Sequence, residues 1–118
     1  MIDKMMRTSK LLDIYGSLLT EVQLNQCRLH FDQDYSLSEI AEEYKVSRQA
    51  VHDAISRASS VLDDFESKLG LLRHYELIDE LQKNLVMMEP VMKSDEVSDE
   101  TRLAYSLCID IISDILGE

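Results

Sequence analysis

The chain has 118 residues, 45% hydrophobic and 30% charged, the balance of one ordinary globular domain, so collagen-like, disordered and disulfide-scaffold classes are excluded. Twelve Lys+Arg against 23 Asp+Glu give a net charge of −11, which argues against polyanion binding over the whole surface. The charge is uneven, with seven Lys/Arg and nine Asp/Glu in residues 1–57 but five and fourteen in residues 58–118, so nucleic-acid contact is expected only from the first half.

One Pro and three Gly leave few helix breakers, and the chain reads as helical almost throughout. Residues 4–18 form an amphipathic pattern with Leu11, Tyr15 and Leu18 on one stripe and Leu12 and Leu19 widening it. Thr20 to Gln23 has capping-box form and opens a helix with Leu24, Cys27 and Phe31 on one face. Ser36 and Glu39 form a second box, opening a short helix through Tyr44 whose apolar face is Leu37, Ile40, Ala41 and Tyr44. Ser47 is a third N-cap, and from Arg48 the residues Val51, Ala54, Ile55, Ala58 and Leu62 face inward.

Beyond Leu62 the stripe continues as Phe65, Leu69 and Leu72, with Gly70 as a kink or break, and resumes as Ile78, Leu81, Leu85 and Met88. Pro90 is expected to stop that helix, and residues 89–100 read as an acidic connector. Ser98 or Asp99 caps a last helix running to about Leu116, apolar on more than one face. Such a helix needs cover on more than one side, which favours a homodimer over a monomer that buries it alone.

The block LSEIAEEYKVSRQAVHDAISR, Leu37 to Arg57, carries the information. It has the residue types of a helix-turn-helix: a small Ala41 where two helices cross, Val46 to plug the turn, and Ser47, Val51 and Ile55 to start and bury the second helix. Its exposed face begins with Arg48, Gln49, His52 and Asp53 and continues with Ser56 and Arg57, the edge that enters the major groove in such motifs. Arg48 has the fork for a guanine edge and Gln49 the amide for an adenine edge, while Lys45 and Ser47 suit phosphates. The turn position often held by Gly is Lys45, which must take a left-handed conformation at some cost.

The segment DYSLSEIAEEYKVSRQAVHDAISRA resembles region 4 of sigma factors, which shares the SLxEIA…VSRxxV pattern. The resemblance is closer to the YlxM-type family of small bacterial helix-turn-helix proteins, in which a stretch like LLDIYGSLLTEVQ precedes the motif and an acidic helical tail follows. It covers most of residues 1–70 and the tail in general character. It implies an all-α fold, a regulatory role, and encoding beside the signal-recognition-particle GTPase genes, hence partners among the components of that pathway. The family's turn usually reads FGVSRQAV, where this chain has YKVSRQAV.

Other constellations read as structural. Cys27 and Cys108 are far apart on apolar stripes and are expected to be buried free thiols. His30, His52 and His74 fall on three different helices without the i, i+4 spacing of a helical zinc face, so neither a metal nor another cofactor is expected. The paired carboxylates Asp63–Asp64, Asp79–Glu80, Asp95–Glu96 and Asp99–Glu100 are adjacent residues that do not face one another, so an enzyme is not expected. The N-terminal MIDKMMRTSK has no apolar core of a signal peptide, and no run approaches the ~20 apolar residues of a membrane span, which reads as cytoplasmic.

The expectation is therefore an all-α protein with a helix-turn-helix domain at residues 1–70, its motif at 36–60. An acidic helical tail at 71–118, for packing or dimerisation, is expected to be part of the same compact unit. The leading function is regulatory binding of duplex DNA. The alternative, an accessory protein that binds a protein or a structured RNA, rests on charge: residues 36–60 hold three Lys/Arg and four Asp/Glu, acidic for a DNA reader.

Overall fold

A computed structural model describes residues 2–118, with side chains from residue 3 onward, so Met1 of the N-terminal segment and the Ile2 side chain lie outside the described residues. The described residues are helical without strands: α1 (Ile2–Tyr15), α2 (Glu21–Phe31), α3 (Leu37–Tyr44), α4 (Arg48–Leu69), α5 (Leu71–Met87), α6 (Glu89–Met92) and α7 (Asp99–Leu116). A 3₁₀ turn, Gly16–Leu18, links α1 to α2. The chain falls into two compact units, one running to Leu72 and one from Arg73 to Glu118. No helix among the described residues is long and apolar enough to cross a membrane.

In the first unit, α4 packs against α1, α2 and α3 and is its central element. Four of its residues, Val51, Ile55, Ala58 and Leu62, are buried at steps of four, three and four, which places them on one face of a 3.6-residue helix. Against them sit Leu11, Leu12 and Tyr15 of α1, Cys27 of α2, and Ile40 and Ala41 of α3. The boundaries follow from local chemistry. Thr20 with Gln23, and Ser36 with Glu39, form complete capping boxes at the starts of α2 and α3. Gly16 is buried at the α1–α2 junction, where an added Cβ would lie 2.8 Å from a Leu24 methyl.

Gly70 takes a left-handed φ of 65° and ends α4, one residue before α5 begins. No residue remains for a local cap, so the first donors of α5 are met by side chains of α1 and α4. The Tyr15 hydroxyl accepts from the Leu71 amide at 3.1 Å and donates to Glu66 Oε1 at 2.7 Å, and that same oxygen accepts from the Leu72 amide at 2.9 Å. Burial, reinforced by the Glu66 carboxylate, holds the Tyr15 hydroxyl above its ordinary pKa.

In the second unit, α7 is joined to α5 by a hydrogen bond from the Tyr105 hydroxyl to the Leu85 carbonyl at 2.7 Å. The Arg102 guanidinium donates to the carbonyls of Met92, Ser94 and Val97 and to Asp99, which organises residues 92–99 around one cation. Ser98 caps α7 through the Thr101 amide.

Several expected core positions are corrected. Leu18, Leu69, Leu81 and Met88 are exposed: Leu69 and Leu81 keep the helical period of α4 and α5, whereas the helix expected over residues 4–18 ends at Tyr15, leaving Leu18 in the 3₁₀ turn, and Met88 lies past the end of α5. Cys108 is exposed, while Cys27 is buried with its thiol pushed up to about 11 by desolvation. Pro90 lies in the first turn of α6, and α5 has ended earlier, at Met87. Ala54 is only partly buried. The two-faced reading of α7 stands: Ile112 is buried and Tyr105, Ile109 and Leu116 are half-buried, whereas Leu103, Leu107, Ile111 and Ile115 are exposed on the other side.

Candidate nucleic-acid interface

The α3–turn–α4 segment builds the helix-turn-helix, and each step of the turn has a chemical cause. Lys45 adopts φ 56°, ψ 45°, the left-handed conformation that L side chains take at a cost. Its amide bonds to the Glu42 carbonyl at 3.3 Å, and the Val46 amide reaches back to the Ala41 carbonyl at 3.0 Å. This is a Schellman closure that satisfies the last carbonyls of α3. The reading of Val46 as an apolar plug is corrected: its side chain is 47% exposed, and backbone hydrogen bonds close the turn. Ser47 Oγ then accepts from the Ala50 amide at 3.0 Å and starts α4.

With Val51, Ile55 and Ala58 anchored inward, the opposite edge of α4 is obliged to face solvent. Lys45, Ser47, Arg48, Gln49, His52, Asp53, Ser56 and Arg57 are all exposed. Asp53 stands among them and organises its neighbours. Its Oδ1 accepts from the Gln49 amide at 2.9 Å and lies 3.5 Å from His52 Nδ1, and its carbonyl accepts from Arg57 Nε at 3.4 Å. The side chains of Lys45 and Arg48 have no hydrogen-bond or ion-pair partner among the described residues. The edge thus offers one pre-tied amide, Gln49, and two untied cations, all near the N-terminus of α4.

His52 and Ser56 also turn toward a groove on one flank of α4, with a volume of about 610 Å³. Ser59 and Asp63 continue the same flank. Lys4 and Arg7 of α1 form the facing wall, and His30 of α2 also lines the groove. Sequence reasoning missed Lys4, Arg7, His30 and Ser59 as companions of the motif. The available signal was the spacing of Lys4 and Arg7, three residues apart on α1, but nothing local says which helix that face meets. Among the described residues, no cluster of His, Cys, Asp and Glu has the arrangement to hold a metal ion.

Comparison with known proteins agrees with this architecture. Residues 2–103 match the model of the UPF0122 family, described as "Putative helix-turn-helix protein, YlxM / p13 like". A UPF0122 protein of Geobacillus kaustophilus is 54% identical over 76 residues, covering 64% of this chain and 69% of the relative. One from Lactococcus lactis subsp. cremoris is 43% identical over 89 residues, covering 75% and 80%. One from Shouchella clausii is 43% identical over 103 residues, covering 84% and 94%. With the helix-turn-helix in place and the family match running through both compact units, this chain belongs to the UPF0122 family of YlxM-like helix-turn-helix proteins.

Proposed function

We propose that this protein is a cytoplasmic regulatory protein that binds duplex DNA through α4 and acts as a homodimer. One observation carries the reading: a Ser47-capped helix, anchored on its inner face, presents Arg48, Gln49, His52, Asp53, Ser56 and Arg57 on a continuous exposed edge. That edge has the donors and acceptors for base contacts, and Lys45 and Ser47 sit at the helix start, where a phosphate is favoured. Dimerisation is supported by the second apolar face of α7, because a twofold axis lets one face cover its own copy. Two recognition helices would then meet two half-sites.

The test is fluorescence anisotropy of the full chain against duplex DNA from upstream of its own gene, a random duplex pool and signal-recognition-particle RNA, each at two salt concentrations. Tight, salt-sensitive binding to the upstream duplex is expected. Arg48→Ala is expected to weaken that specific complex by about 1–3 kcal/mol, the range for a lost bidentate base contact. Equal affinity of wild type and variant across all duplexes removes Arg48 from base reading.

A second reading is favoured by a different observation. The edge of α4 carries a carboxylate, Asp53, and the surrounding motif is slightly acidic, which opposes DNA. Together with the kinship to YlxM-like proteins, this supports an accessory role toward a protein or structured RNA of the signal-recognition-particle pathway. Binding of that RNA, or salt-insensitive binding of a protein partner with no affinity for duplex, selects this reading.

A further inference from the structure

The groove beside α4 shares His52 and Ser56 with the base-reading edge and extends beyond it, and among the apolar Met5, Phe31, Leu37 and Ile55 its lining places polar and cationic side chains suited to phosphate. His52, Ser56, Ser59 and Asp63 fall at steps of four, three and four, so they form one stripe along the flank of α4. From the facing wall, Arg7 Nη1 reaches Asp63 Oδ1 at 2.7 Å, which ties the groove's one carboxylate to a cation. The Lys4 ammonium remains exposed and has no partner among the described residues. The hydroxyls of Ser56 and Ser59 likewise make no hydrogen bond to a described residue. Lys4 and Arg7 against Asp63 leave a positive balance, with His30 and His52 alongside, on a chain whose net charge is −11.

Position decides what such a surface meets. A helix lying in the major groove has a phosphate backbone on either side, about 12 Å apart across the groove. A groove on the flank of that helix, with Lys4 and Arg7 on its wall, falls where one strand runs. We infer that the groove formed by Lys4, Arg7, His30, His52, Ser56 and Ser59 seats the phosphate backbone of one DNA strand while the outer edge of α4 faces the bases. The inference rests on the proposed duplex binding and adds α1 to the interface. Its contacts are to phosphate, so they contribute affinity without sequence preference.

The test uses the full chain and fluorescein-labelled duplexes, one from upstream of its gene and one of random sequence, over a salt series. Lys4→Glu is expected to weaken binding to both duplexes several-fold and to flatten the salt dependence by about one unit of slope. Asp63→Asn removes the groove's carboxylate, releases Arg7, and is expected to tighten both complexes. Lys83→Glu on α5 makes the same charge change as Lys4→Glu outside the first unit and is expected to alter neither. Circular dichroism and melting of each variant establish that the fold is kept. Equal weakening by Lys4→Glu and Lys83→Glu reduces the effect to net charge and overturns the groove. Loss of affinity in Arg48→Ala with none in Lys4→Glu overturns the groove but leaves DNA reading by α4 intact. No binding of any duplex by wild type, or binding of structured RNA alone, overturns both.

Discussion

Single side chains in this protein differ sharply in how the fold treats them, and the two thiols are the plainest case. Cys27 lies in the core, where burial disfavours the thiolate and pushes the thiol up to about 11. Cys108, on α7, is exposed. Because the thiolate is the nucleophile, a disulfide-exchange reagent at pH 8 is expected to label one cysteine rapidly in the native protein and the second only after unfolding. Cys108→Ser is expected to abolish the rapid phase. Two rapid thiols in the native protein would contradict the burial of Cys27. Lys45 is a second residue-scale case, since its left-handed backbone costs energy that glycine would not incur. Lys45→Gly is expected to stabilise the protein by about 1 kcal/mol, a rise of ~4 °C in Tm, while weakening any DNA complex that uses the Lys45 ammonium. A fall in Tm would mean that the turn is not strained at this position.

At the scale of elements, the sequence was most informative where side chain and backbone partner are close in the chain. The boxes Thr20–Gln23 and Ser36–Glu39, the Ser47 and Ser98 caps and the break at Gly70 are settled within three or four residues, and each is found where its residues put it. Helical period also identified the inner face of α4. It could not distinguish a covered apolar residue from an uncovered one, because period fixes direction and not what stands there. Hence Leu69 and Leu81 fit their stripes yet face solvent. The same limit hid the groove: Arg7 and Asp63 are 56 residues apart, and their pairing follows from how α1 lies on α4. The motif's own edge was legible because the inward anchors Val51 and Ile55 dictate it.

At the scale of the whole molecule, the imbalance between acidic and apolar surface calls for explanation. The second unit combines most of the negative charge with exposed Leu103, Leu107, Ile111 and Ile115 along one helix. Exposed apolar residues that line up on one face mark an association surface more often than scattered ones do. Sedimentation equilibrium at tens of micromolar is therefore expected to give a dimer, and Ile111→Lys a monomer of unchanged helix content. A monomeric wild type would refute the pairing through α7. The acidic remainder of the same unit would repel DNA, leaving contact with a duplex to the first unit.

The contact of Tyr15 with Glu66 and the first turn of α5 has a consequence for how the chain acquires its fold. A helix ordinarily carries its own start signal and can begin to form alone, whereas two of the earliest donors of α5 are met by side chains from α1 and α4. That turn cannot be secured until α1 has docked on α4, some 56 residues of chain having been closed into a loop first. The start of α5 thus serves as a report that the helix-turn-helix unit is complete: the Leu71 amide is expected to gain protection from hydrogen exchange only with the global folding of that unit, and not by local helix formation.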